Sequence, residues 1–424
     1  MMSSSSVVEP ASRRVFWNPR DWRIRNKLLV LLLIFGILPS VLLGGLTFQV
    51  FRSVVSDQAT NNLYYRSIAT SEAIDQYLRD RREDVIMLSK TGYLIEFAAN
   101  PVAGLTRANA LDLLRATATR TDFEAASVIG LDGKILLSSS ESDIGLDVSQ
   151  RPFFIEARKG AAYISDPGVS VVTNRPAIFF SAPIRDAKNQ IIGVAAIRLS
   201  LDGIWTLVER DKDVAGKGSY GLLLDENGIR IGNSLSLGRR AEMEGSLQLF
   251  TAVARLAPEV ERTLVAERRF GPATVAGIQV VPVPELANAL VTPGTRTFET
   301  SSENNPERNF AALASLNNKP WRYVLIAPFS SFFSELNLWA TLYFVANLLL
   351  IFVIIIVAYA VARGFTDPIN RLTQVADRIS LGELDVQIDV SRRDEIGELA
   401  EAIARMQASL QAAIERLRAR RAGG

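Results

Sequence analysis

The chain has 424 residues, enough for two or three domains at roughly 100–200 residues each. Its 47 Lys plus Arg against 45 Asp plus Glu leave a formal charge of +2, which argues against a dedicated nucleic-acid binder. Cysteine and histidine are both absent, so a disulfide framework, a thiolate nucleophile, an imidazole base and histidine autophosphorylation within the chain are excluded, and a zinc site is strongly disfavoured. Residues 1–27 carry Arg13, Arg14, Arg20, Arg23, Arg25 and Lys27 against Glu9 and Asp21, and an uncharged run follows over 28–51. That run exceeds the ~7–15-residue apolar core of a signal peptide and continues into a helical pattern, so it reads as an uncleaved membrane helix. The basic flank places residues 1–27 in the cytoplasm and 52–335 outside. Pro39 either kinks this helix or is tolerated in lipid.

The external span is too long for a simple loop and rich in strand signals, which makes it a folded sensor or binding domain. From Asp57 to about Lys90 there is no proline or glycine, and Ile74, Tyr77, Leu78, Val85 and Leu88 fit a long helix. Strands are predicted for 125–131 and 134–138 around Asp132–Gly133, and for 177–184 and 191–200 around the polar turn 185–190. A second set covers 220–224, a turn at 225–228 with Asn227–Gly228, then 310–316 and 321–327 around Asn317–Asn318. Two antiparallel sheets in series follow. Residues 238–300 fit this plan least: Leu249, Val253, Leu256 and Val260 predict an amphipathic helix before Pro282, Pro284 and Pro293, and the stretch reads as an insertion.

A long helix and two strand-rich modules between membrane spans resemble the double Cache family of extracytoplasmic sensors. The resemblance rests on Leu131–Asp132–Gly133–Lys134, Arg151–Pro152–Phe153–Phe154, Ser181–Ala182–Pro183–Ile184, Ile192–Gly193–Val194–Ala195 and Trp321–Arg322–Tyr323–Val324, and covers about 55–335. It implies a PAS-like distal module at about 92–205, which holds the ligand pocket, and a proximal module at about 215–328. In amino-acid-binding members an arginine before an aromatic pair grips the carboxylate, a tyrosine lies upstream, and an aspartate on the last strand receives the amine. Arg151 matches the grip, Phe153 and Phe154 match the pair without its polar donors, Leu146 stands at the upstream position and Arg198 stands where the aspartate would be. A second guanidinium repels an ammonium group and favours a second negative charge, so the expected ligand is a small anion or carboxylate. The structural alternative makes Arg151 a helix start, Arg198 a surface ion pair and the phenylalanines core.

The uncharged run 336–362 is long enough at ~1.5 Å per residue to cross ~30 Å of hydrocarbon, and reads as the second membrane helix. After Arg363, Pro368 opens a segment with Ile369, Leu372, Ala376 and Ile379 on one face. A connector with Leu384, Val386 and Ile388 leads to a heptad seam at Ile396, Leu399, Ile403, Met406, Leu410, Ala413 and Leu417. Two short heptad helices need partners, so two copies are expected to form a parallel four-helix bundle. Pro368, Gly382–Glu383–Leu384 and Asp394–Glu395–Ile396–Gly397 resemble a HAMP domain. The resemblance implies a relay in which Pro368, Glu395 and Gly397 mark the two helix starts; a membrane-proximal coiled coil without switching is the alternative.

No phosphate loop, dinucleotide fingerprint, nucleophile elbow or metal-ligand cluster occurs in the sequence. The pair Asp394–Glu395 suits the positive end of a helix dipole better than catalysis. Arg416, Arg418, Arg420 and Arg421 suit a solvated helix end, with anionic lipid or nucleic acid as alternatives. The sequence thus predicts an α+β membrane protein divided into 1–27, a span at 28–51, a sensor at 52–335, a span at 336–362, a HAMP domain at 363–417 and a tail at 418–424. The expected function is that of a non-enzymatic transmembrane receptor of the bacterial cell membrane, without cofactor or metal. It is multi-pass with both termini cytoplasmic, homodimeric and in contact with lipid, and it has a small-molecule ligand and a separate cytoplasmic effector. The input half of a receptor histidine kinase, cyclase or chemoreceptor, and a membrane-anchored binding protein without signalling, are the alternatives.

Overall fold

The computed structural model describes residues 24–102, 104–120, 122–170, 172–235, 249–271, 277–292, 294–302 and 305–422. The basic stretch expected at the N-terminus lies, through residue 23, outside the described residues, as do 238–248, 272–276 and Pro293 of the expected insertion. Internal contacts divide the chain into two units, one of residues 52–334 and the other of 1–51 with 335–424.

In the first unit the helix α1 (Ile24–Ser89) buries Leu63, Ile74, Leu78 and Val85 along one stripe, as the periodicity of 57–90 predicts. The helices α2 (Gly92–Ala99) and α3 (Gly104–Ala118) follow and pack on the distal sheet. That sheet comprises β1 (Phe123–Ile129), β2 (Ile135–Ser138), β3 (Tyr163–Ile164), β4 (Gly168–Val169), β5 (Pro176–Arg185) and β6 (Ile191–Ser200), in the order β2-β1-β6-β5-β3 with β4 also on β5. The β1–β2 turn is built as expected: Gly133 takes φ +84°, and Asp132 Oδ1 accepts the Lys134 N–H at 3.1 Å. Because strand side chains alternate, Ala126, Val128, Ala195, Ile197, Leu199, Ile178 and Phe180 form one apolar face. The opposite face presents Ala125, Ser127, Ile129, Ala196, Arg198 and Phe179, and α4 (Pro152–Arg158) packs there.

After α5 (Asp202–Glu209), the proximal sheet has the order β8-β7-β11-β10-β9, from β7 (Tyr220–Leu224), β8 (Arg230–Asn233), β9 (Arg296–Ser302), β10 (Asn305–Ser315) and β11 (Arg322–Pro328). The strands β8 and β9 were not expected, because neither carries an apolar run: one reads RIGN and the other RTFETSS. The helix expected on Leu249, Val253, Leu256 and Val260 is a correction. The helix α6 begins only at Pro258 (Pro258–Ala266), since Ala252 bridges to Ile229 and Val280, and the Val253 N–H is taken by Gly228 O at 3.0 Å. Nor are the described parts of 238–300 an appendage: Val253, Val283, Leu286 and Ala289, the last two on α7 (Pro284–Val291), pack with Leu222, Leu313 and Val324 in the proximal core.

In the second unit, α1 and α8 (Phe329–Val361) contain segments long and apolar enough to cross a membrane. The helix α1 continues through Pro39, and close by Ser40 Oγ donates to Asn347 Oδ1 at 2.9 Å while the Tyr343 hydroxyl donates to Ser40 O. Gly44 is needed there, because a Cβ would lie 2.0 Å from the Tyr343 oxygen. Ala362–Thr366 form a π-helical turn before α9 (Asp367–Ser380), where Pro368 has no N–H to offer the ladder. Gly382, at φ +94°, ends α9, with Glu383 N–H reaching back to Arg378 O at 3.0 Å. The extended connector then reaches α10 (Glu395–Ala422), whose Ile396 and Ala400 pack against Leu372.

Candidate ligand-binding site

The second face of the distal sheet is floored at its centre by Ala125, Ser127 and Ala196, and these small side chains leave a cavity of about 200 Å³ between the sheet, α4 and the 163–170 segment. A space of this size suits a small-molecule ligand. Of the residues expected to bind the ligand, Arg151, Phe153 and Arg198 line it. Phe154 does not. It is 1% exposed and packs in the core, since successive helical residues point ~100° apart and α4 turns only Phe153 of the aromatic pair toward the cavity. Phe153 stacks on Phe179 with centroids 4.6 Å apart, and Ser181 Oγ fixes the start of α4 by donating to Phe153 O at 2.6 Å.

The two arginines differ in electrostatic state. Arg151 precedes α4 with extended backbone, and its guanidinium has no polar partner among the described residues. Arg198 is 6% exposed; its Nη1 lies 3.1 Å from Asp143 Oδ2 and its Nε 3.1 Å from Glu124 Oε2. This is a buried three-membered network, neither a surface ion pair nor a free cation, and it corrects the charge argument made from Arg198. Burial pushes the Glu124 carboxyl above its ordinary value, although Arg198 acts in the opposite direction. An arginine on a strand buried on both faces requires anionic partners, which is the signal that could have pointed to Asp143.

Asp166, Glu267 and Arg269 also line the cavity and were missed. Asp166 Oδ1 lies 2.8 Å from Lys319 Nζ and accepts from Trp321 Nε1 at 3.1 Å, and both partners belong to the proximal module. Arg269 Nη2 lies 3.2 Å from Asp225 Oδ2. Nothing local in the sequence links 267–269 to a cavity formed around residues 125–198. Among the described residues no cluster of side chains is suited to a metal ion.

At the expected relay, Asp394 rather than Glu395 caps α10: its Oδ1 accepts the Gly397 N–H at 3.0 Å and its carboxylate pairs with Arg392. Glu395 is exposed in the first turn, where it meets the helix dipole. Gly397 admits the Arg392 backbone, whose carbonyl oxygen would lie 2.1 Å from an added Cβ. Pro368 occupies the first turn of α9.

The Cache domain model matches residues 49–336 and the HAMP domain model residues 360–412. The chain is 21% identical over 400 residues to the methyl-accepting chemotaxis protein McpC of Bacillus subtilis, covering 93% of this chain and 53% of that protein. It is 40% identical over 63 residues to a putative sensory transducer protein of Acetivibrio thermocellus, covering 14% of this chain and 11% of that one. It therefore spans about half the length of the Bacillus relative. Among solved structures, the sensor domain of the Vibrio cholerae histidine kinase DctB aligns with a TM-score of 0.51 at 15% identity, covering 64% of this chain and 98% of that one, a likeness of fold.

Proposed function

The chain belongs to the Cache domain family, and from that premise we propose that it is a homodimeric transmembrane receptor that binds a small carboxylate outside the cell and passes the signal inward through its HAMP domain. The observation that carries the ligand class is Arg151, an uncompensated guanidinium on the wall of a small cavity whose other arginines face carboxylates. With Arg198 cancelled by Asp143 and Glu124, repulsion of an ammonium group no longer follows, and the reading rests on the carboxylate alone. Both membrane helices cross the bilayer, with the termini in the cytoplasm and Lys27 and Arg363 at lipid headgroups.

Dimerisation is supported by the surface of α10. Its inner face packs on α9, and Gln407 and Gln411 donate to the connector carbonyl of Leu384, each at 2.6 Å. Leu399, Met406, Leu410 and Leu417 of the heptad seam remain 41–63% exposed in one protomer, and a second copy buries them. The relay through Pro368, Glu395 and Gly397 then ends in a cytoplasmic effector in trans, by binding rather than catalysis.

A thermal-shift series on the full-length protein in detergent, with acetate, succinate, glycine and ethylammonium as probes, tests the ligand class. Carboxylates should raise the melting temperature, by about 2.7 kcal/mol of added stability at ~100 times the dissociation constant, and Arg151→Ala should abolish the shift. A shift with ethylammonium alone, or one surviving in Arg151→Ala, overturns the reading.

A further inference from the structure

The walls of the cavity differ in what they can still offer a ligand, because most of the ionised groups there are already engaged. Arg198 has its Nε on Glu124 and its Nη1 on both Asp143 oxygens, Asp166 lies 2.8 Å from Lys319, and Arg269 lies 3.2 Å from Asp225. Asp147 and Glu267 are exposed, and Asp147 accepts the Ser149 N–H at 2.8 Å. Arg151 is left as the grip for an anion. It stands two residues before Phe153, which lines the same cavity from the start of α4.

The floor beyond that grip is largely apolar. Ile129, Ile135, Phe153 and Ala196 belong both to the cavity wall and to one buried apolar cluster. Where β1 and β6 lie side by side, Ser127 stands opposite Ala196, and Ala125 is their small neighbour on β1. Alanine is disfavoured in strands because it leaves the sheet face poorly packed. Here the larger residues of that face, Ile129 and Val194, carry the packing of α4 through Phe153, Phe154 and Ala157, so the helix does not settle onto the small ones. A floor of small side chains beside the stacked rings of Phe153 and Phe179, with one charged group at the wall, is the arrangement that holds a ligand by its polar end and buries its hydrocarbon.

We propose that the ligand is a monocarboxylate with a short apolar tail, its carboxylate on Arg151 and its tail over Ala196 and Ser127, whose lack of bulk sets the tail length that the site accepts. The proposal rests on the carboxylate reading above, and adds to it the rest of the ligand and the residues that measure it. Ala196 and Ser127 are specificity-determining residues: each carbon that the tail places against the apolar cluster leaves water, and each carbon added to the floor takes that space away.

Titration calorimetry of the full-length protein in detergent with acetate, propionate, butyrate, valerate and succinate tests this. In the wild type each added methylene of the monocarboxylates should tighten binding by about fourfold, the worth of burying one such group, up to the longest acid that fits. Ala196→Leu should abolish the gain with tail length while leaving acetate affinity unchanged, a change of selectivity that general destabilisation would not produce. Ser127→Val, a smaller change on the neighbouring strand, should move the preference to a shorter tail and guards against misfolding of the first variant. Affinity that is equal or falls from acetate to propionate in the wild type, or a tail preference unchanged in a folded variant, overturns the proposal and leaves the carboxylate reading standing, as does binding of succinate alone. Binding of no carboxylate overturns both.

Discussion

Replacing Arg198 by methionine tests whether this arginine organises the cavity floor or contacts the ligand. Asp143, whose side chain is 4% exposed, would keep only Ser138 Oγ at 3.3 Å, and Glu124 would lose its cation. Removing one partner from a buried ion pair costs about 3–5 kcal/mol, because the remaining charge is desolvated without compensation. For a unit of this size that corresponds to a fall in melting temperature on the order of 10 °C. The assay is thermal unfolding of the full-length protein followed by tryptophan fluorescence, since Trp205 and Trp321 are both buried in the 52–334 unit. The triple variant Arg198→Met, Asp143→Asn, Glu124→Gln should recover most of the loss, because no carboxylate then remains unpaired. A fall of under ~2 °C in the single variant, accompanied by loss of carboxylate binding, would refute the structural role and make Arg198 a ligand contact.

Asp225 should give stability a pH dependence. Burial lifts its folded-state carboxyl to about 6 from an ordinary 3.8, against the opposing pull of Arg269. The folded protein therefore holds the proton more tightly, and this group's contribution falls by about 3 kcal/mol as pH rises from ~4 to ~6, then levels off. Asp225→Asn should remove that component, and identical stability slopes in the two proteins between pH 4 and 7 would contradict it. Gly397→Ala should loosen the start of α10, because the added Cβ meets the Arg392 carbonyl and overpacking of this kind costs about 1–3 kcal/mol. Hydrogen exchange at residues 396–400 should quicken by about tenfold, and unchanged protection would show that the connector yields without cost.

The elements legible in the sequence are those whose signals are local. The period of 57–90, the Asp132–Gly133 turn and the near-continuous apolar runs of β5 and β6 each depend on neighbours within a few residues. The misread helix around Leu249 shows the limit: its spacing is helical, but long-range pairing of Ala252 with Ile229 and Val280 overrides the local preference. The cavity divides in the same way. Arg151 and Phe153 were legible through a motif. Asp143 was implied only by the need to neutralise Arg198, and Arg269 and Asp166 depend on contacts between modules that no local pattern encodes.

The same inter-module contacts constrain how an occupied cavity can be felt at α1. Asp75 on α1 is 1% exposed and accepts the N–H groups of Asn317 and Asn318, at 2.6 and 2.9 Å, from the turn between β10 and β11. Asp211 receives Arg66 and Thr70 of α1, at 2.8 and 2.6 Å, together with Tyr323 of β11 at 2.6 Å. From Arg66 to Asp75, about 13 Å of α1 at ~1.5 Å per residue, the helix is therefore bonded to the proximal sheet through two buried carboxylates. The β10–β11 turn that grips Asp75 also carries Lys319, whose ammonium holds Asp166 in the cavity wall at 2.8 Å. Cavity, turn and helix thus form one contiguous set of charged contacts, and contiguity supplies a route without supplying a signal. A ligand uses this route only if its affinity differs between two arrangements of the Asp166–Lys319 contact; equal affinity shifts no equilibrium, however tightly it binds. The informative ligand is one whose charge alters that contact.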